Sequence, residues 1–189
     1  MVIVILAFHS IFTTYGTWLP NEPRGSWSTF VASWELYRFG KATTVSTTRS
    51  LAGHAYDRNT KIQMQRVLRH PPVRLTGDQA LTAATAFAQT PYTLHALAIM
   101  PNHVHMVIGY TQRDIRRAIG QIKSEATRAL RKRGWYATRS PWTDHGWNVY
   151  LNTDDDVQRA IDYLRNNPLR EGLRQQRWSF ISPYAGAAI

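Results

Sequence analysis

Cysteine is absent from this 189-residue chain. That excludes disulfides and thiolate-held metals, and it fits a reducing compartment such as the cytoplasm. Long apolar runs are missing as well. The stretch Met1 to Phe8 is apolar, but it is too short to cross a bilayer and lacks a basic start, so it reads as a buried strand rather than a signal peptide or membrane anchor. Acidic residues are scarce: 12 Asp and Glu stand against 23 Lys and Arg, for a net charge of +11 and a pI near 10.4. A surplus of this sign points to a polyanionic partner, with nucleic acid ahead of a membrane surface; basic charge that only aids solubility is the bland alternative. The length and the 43% apolar content suit one domain with a sizeable core.

Against that background one stretch stands out, Met100-Pro101-Asn102-His103-Val104-His105-Met106-Val107-Ile108. In a strand, alternate side chains share a face. His103 and His105 then look one way, while Val104, Met106 and Ile108 supply a core face. Two imidazoles side by side are half of a divalent-metal site. A bare His-x-His is equally what an ordinary strand edge carries.

A second segment, Thr153 to Pro168, has helical spacing: Val157, Ala160, Ile161 and Leu164 form an apolar stripe. Thr153 with Asp156 resembles a capping box, and the aspartates suit the positive helix end. Pro168 is expected to stop the helix. Tyr163 and Asn167 are four apart, so they leave the helix on one side.

The remaining order is strand (2–14), loop (16–27), a stretch without clean period (28–75), helix (78–89), a hairpin of two strands (92–100 and 103–110), long helix (113–133), aromatic loop (135–147), short strand (148–151) and the tyrosine helix. Residues 28–75 read as an insertion in a single domain, with a short packed element around Trp34, Tyr37 and Phe39, and a helix over 63–68. The whole is an α+β pattern that one antiparallel sheet with helices on one side satisfies. The long helix buries Ile115, Ala118, Ile119, Ile122, Ala126 and Leu130, and it ends at Gly134. Its other face carries Arg113, Arg116, Arg117, Lys123, Arg128, Arg131, Lys132 and Arg133, a candidate surface for DNA phosphates. Trp135, Trp142 and Trp147 are either stacking platforms for unpaired bases or loop-packing residues. His9, alone on the first strand, reads as structural.

Taken together, Met100-Pro101-Asn102-His103-Val104-His105 and Asp162-Tyr163-Leu164-Arg165-Asn166-Asn167-Pro168, followed by Gly172, resemble the single-tyrosine His-hydrophobic-His transposases, and within them the REP-associated tyrosine transposase branch. Thr14 to Pro20 and Pro23 to Trp27 look like a signature of some members. The resemblance implies a ferredoxin-like sheet, with the histidines on a central strand and the tyrosine on a facing helix. It implies a divalent ion, Mg²⁺ or Mn²⁺, on His103 and His105. Asn167 then stands where relatives supply a third ligand from a glutamine one methylene longer. Tyr163 would be the nucleophile that nicks and rejoins single-stranded or hairpin DNA through a 5′-phosphotyrosine. Relatives include monomers and homodimers. Three rival readings stand beside this one: a DNA-binding protein that has lost catalysis, a replication initiator or relaxase of the same superfamily, and a metal-dependent hydrolase using His103, His105 and a third histidine such as His9 or His95.

Overall fold

Residues with branched or aromatic side chains favour extended backbone, and four such segments build the sheet of a computed structural model that describes residues 4–45, 51, 53–144 and 146–186. The contacts divide the chain into two compact units, Met1–Thr13 with Arg74–Ile189, and Thr14–Val73.

In the first unit the strands are β1 (Ala7–Thr13), β2 (Leu94–Ile99), β3 (His103–Gly109) and β4 (Trp147–Leu151). Their order is β2-β3-β1-β4, and every neighbouring pair is antiparallel. β1 starts later than the sequence suggested: residues 4–6 are not strand, and the first two residues of the expected strand lie outside the described residues. Three helices, here named α3 (Gly77–Ala88), α4 (Ile115–Lys132) and α5 (Asp154–Arg170), complete a ferredoxin-like α+β arrangement. The other unit contributes α1 (Trp34–Tyr37) and α2 (Arg58–Arg66).

The helices cover both faces of the sheet, not one. Phe12 of β1 meets Phe87 of α3 edge to face, and the Lys123 ammonium of α4 lies 4.9 Å from the Phe12 ring. α3 and α4 therefore share the face of Phe12, Val104 and Met106. α5 docks on the opposite face, where Val157, Ala160, Ile161 and Leu164 close over Ala7, Ala96, Ala98, Val107 and Leu151. Three alanines on that face keep the surface low, so a helix can approach closely.

α5 also runs past Pro168, through Arg170. Proline removes one donor but does not abolish the turn, and here a stronger stop lies just beyond it. Gly172 takes a positive φ of 72°. The Leu173 N–H donates to Pro168 O at 2.8 Å and the Gly172 N–H to Leu169 O at 3.1 Å. That pair of bonds is a Schellman cap, which satisfies carbonyls that would otherwise end unpaired.

The tail after α5 runs along β2, an edge strand. Gln176 brackets Ile99, accepting from its N–H at 2.8 Å and donating to its carbonyl at 2.7 Å. Trp178 donates its indole N–H to Leu97 O, and Ser182 N–H donates to Leu94 O. Farther on, the Tyr184 hydroxyl donates to Asp154 at the start of α5 at 2.6 Å. Exposed strand edges invite pairing with other chains, and these bonds occupy this one.

The unit Thr14–Val73 holds most of the stretch expected as an insertion. Its small core is Leu19, Leu36 and Met64. The helix expected at 63–68 begins earlier, because Asp57 caps it by accepting from the N–H groups of Asn59 and Thr60. Glu22 is fully buried and held by Arg24 and Lys61, each at 2.9 Å. The Arg24 guanidinium lies 4.3 Å from the ring centroids of both Trp18 and Tyr56. A buried carboxylate paired twice, with its partner stacked on aromatic rings, avoids the cost of an isolated charge. Trp34 and Tyr37, expected to pack, are instead exposed; Leu36 is the buried residue of α1.

Candidate active site

The pairing of β1 with β3 places Ile11 opposite His105 and Thr13 opposite His103, with His9 opposite Val107. Alternation then puts His9, His103 and His105 on one face, and that is the face α5 covers. The His9 Nε2 lies 3.2 Å from His105 Nδ1. The His103 and His105 rings stand 4.8 Å apart, centre to centre. Tyr163, from α5, sits above them: its ring centroid is 5.6 Å from that of His105 and 6.0 Å from that of His9. The docked stripe fixes this position, because Tyr163 immediately precedes Leu164, which is 1% exposed.

Burial lowers the pKa of all three imidazoles, of His9 and His103 to about 4 and of His105 well below its usual 6.5; His105 is further held down by the neighbouring His103 and His9. All three rings are therefore neutral at pH 7, the form that can accept a hydrogen bond or bind a metal. The His103 Nδ1 lies 2.8 Å from Asn102 Oδ1. Since an amide oxygen only accepts, this ring carries its proton on Nδ1 and leaves the Nε2 lone pair free. The His103 Nε2 lies 3.8 Å from a Glu171 carboxylate oxygen. Burial raises the pKa of Tyr163, an effect opposed by Arg170, whose guanidinium sits 5.6 Å from the tyrosine ring centroid. Asn167, one turn after Tyr163, is buried, and its Nδ2 has no hydrogen-bond partner among the described residues.

Of the expected metal ligands, His103 and His105 are thus together and beneath Tyr163, and Asn167 is buried on the same helix. Two neighbours, Arg170 and Glu171, were not foreseen, and a third, His9, entered only through the rival hydrolase reading. His9 reads as a lone histidine until strand pairing puts it beside His105. Arg170 and Glu171 lie seven and eight residues after Tyr163, on its side of the helix, but beyond the proline expected to end it. Gly172 was the usable signal for the true end.

The candidate DNA surface divides. Arg113, Arg116, Arg117, Arg128, Arg131 and Lys132 are exposed. Lys123 is not: it is buried, and its ammonium donates to Thr143 O at 2.8 Å. Burial brings its pKa down to about 8. A lysine stem of four methylenes can cross the apolar margin of a helix and reach inward, which the helical wheel alone does not reveal. Trp142 is also a core residue, packed edge to face on Phe12, so it offers no free ring for a base. Trp135 and Trp147 are half-buried.

Residues 80–165 match the model of the family described as transposase IS200 like. The matched segment, somewhat less than half of the chain, is similar to that family. It holds β2, β3, α4, β4 and the part of α5 that bears Tyr163. A protein of Haemophilus influenzae, provisionally named a REP-associated tyrosine transposase, is 28% identical over 102 residues, spanning 47% of this chain and 58% of the relative. The chain thus covers somewhat less than three fifths of that relative's length. A solved structure of a REP-associated tyrosine transposase bound to a REP hairpin aligns over 100% of this chain and 96% of that one, at 13% identity and a TM-score of 0.45. Among the described residues no helix is long and apolar enough to cross a membrane.

Proposed function

We propose that this protein cuts and rejoins single-stranded DNA, with Tyr163 as the nucleophile. The observation that carries the reading is the seat of Tyr163 directly above the His9–His105 pair, on a helix of the segment similar to IS200-like transposases.

The side chains fit a divalent ion. With its Nδ1 proton donated to His9, His105 leaves Nε2 free, as Asn102 does for His103; a partner of this kind fixes the tautomer of a metal-binding histidine. Among the described residues no three His, Asp or Glu side chains converge to hold a metal, so a third ligand would be of another type. Asn167 qualifies: its amide end is buried and unpartnered, and turning the amide exchanges nitrogen for oxygen. His103, His105 and Asn167 would hold Mg²⁺ or Mn²⁺, and imidazole favours the latter. When bound, such an ion neutralises phosphate charge and orients the scissile bond.

This chain's own groups perform the remaining steps. The Tyr163 hydroxyl gives up its proton to water, and Arg170 favours the resulting phenolate. The phenolate oxygen attacks phosphorus, the bond to the 3′ oxygen breaks, and that oxygen leaves as a 3′ hydroxyl after taking up a proton. The phosphate stays on Tyr163 as a 5′-phosphotyrosine, which a 3′ hydroxyl can later attack to restore the strand. The exposed arginines of α4 and Lys132 contact phosphates. Because α4 and α5 lie on opposite faces of the sheet, these contacts engage DNA away from the cleaved phosphate.

The test is incubation with end-labelled single-stranded DNA and Mn²⁺, followed by a denaturing gel. A covalent adduct present in wild type and absent in Tyr163→Phe supports the reading. An adduct that survives the substitution refutes it. The rival three-histidine hydrolase would need His9 or His95 as its third ligand, and the Nε2 of His9 is engaged with His105 Nδ1 at 3.2 Å. His95 instead bonds Ser182 O and meets the edge of Tyr184.

A further inference from the structure

We propose that the exposed face of α1, formed by Trp34 and Tyr37, is a stacking site for unpaired nucleobases. Trp34 is 85% exposed and Tyr37 60% exposed, whereas Leu36 between them is 3% exposed. The helix therefore spends its one aliphatic side chain on the core and turns both flat rings to solvent. The rings are parallel within 4°, with centroids 6.2 Å apart. They border a concavity of about 340 Å³ shared with Glu35, Arg38 and Val67. Phe30, a few residues earlier, is 68% exposed. Exposed apolar side chains clustered in this way mark an interaction site.

Charge selects the partner. Between residues 14 and 73 there are eight Lys and Arg against three acidic residues. Glu22 is buried against Arg24 and Lys61, and Asp57 is committed to capping α2. Glu35 is left on the surface, accepting from Ser33 at 2.7 Å, amid exposed Arg38, Lys41, Arg66 and Arg69. Flat π-faces in a basic field match single-stranded nucleic acid: bases stack on the rings, phosphates meet the arginines, and no sequence needs to be read. This site deepens the function proposed above, since the strand it holds would be the strand acted on, but it concerns binding and not chemistry.

The test measures binding of fluorescent oligo-dT to the full chain by anisotropy, in EDTA so that no cleavage intervenes. Trp34→Ala and Tyr37→Ala should each weaken binding, the former roughly tenfold or more, and Trp34→Phe should restore most of it. Circular dichroism checks the fold, which these exposed positions should leave intact. Wild-type affinity retained by the Trp34→Ala/Tyr37→Ala double variant overturns the stacking site and leaves the chemistry at Tyr163 standing. No binding by wild type also overturns the stacking site, and the adduct assay decides the chemistry separately. Oligomers in wild type that Trp34→Ala dissolves, with DNA affinity unchanged, assign the face to a second copy of this chain and also overturn the proposal.

Discussion

Lowering the pH from 7.5 towards 5 in the absence of metal is a perturbation aimed at His9, His103 and His105. In the unfolded chain each ring takes up a proton near pH 6.5. In the folded protein burial holds His9 and His103 to about 4, and His105 well below 6.5. The unfolded state thus binds more protons across this interval, so stability rises with pH. It is complete above about pH 6.5 and is lost as pH falls towards 4. A fall from 6.5 to about 4 corresponds to roughly 3 kcal/mol per ring as an upper figure. For His9 and His103 together that is up to about 6 kcal/mol, with His105 acting in the same direction. Domains of this size have only about 5–15 kcal/mol of stability in all. Urea midpoints followed by circular dichroism at pH 7.5, 6.5, 5.5 and 5 should therefore fall steeply, before ordinary carboxylates titrate. His9→Gln, which cannot titrate, should make the slope shallower. A midpoint that stays constant down to pH 5 and drops only below it would refute the reasoning, for then the rings accept protons without disturbing the fold.

Tyr163→Phe should leave the melting temperature nearly unchanged, because the hydroxyl makes no hydrogen bond among the described residues, while adduct formation on a denaturing gel disappears. Leu164→Ala, at a site 1% exposed in the cluster under α5, should cost about 2–5 kcal/mol by urea denaturation. Arg116→Ala with Arg117→Ala should weaken single-stranded DNA binding and reduce the salt slope, log K against log salt, by about 1.4. Lys123→Ala should instead lower stability by about 1–3 kcal/mol, since it removes the buried ammonium that donates to Thr143 O and Asp144 O, and should keep the salt slope of wild type.

Alternation made the strands readable. The apolar pattern of β2 and β3 can be satisfied only by a covered sheet, and the stripe on α5 allowed Tyr163 to be placed above it. His103 and His105 were legible because residues two apart on one strand must share a face. What escaped the sequence depends on pairing between distant segments. His9 is 96 residues from His105, and nothing local states that their strands are neighbours. Lys123 and Trp142 escaped for another reason: each has both an apolar and a polar part, and the surroundings decide which part is buried. Pro168 misled because its local penalty was weighed without the glycine cap four residues later.

The tail that closes the edge of β2 also bears on whether copies of this chain can exchange parts. From the end of α5 it returns along β2 through Gln176, Trp178 and Ser182, then fastens to the first turn of α5 through Tyr184 and Asp154. The helix bearing Tyr163 is thereby tied at both ends to its own sheet. For two copies to trade tyrosine helices, each would first have to unzip this strap and leave bare a strand edge able to recruit a third chain. The strap thus keeps Tyr163 with the histidines encoded on the same polypeptide.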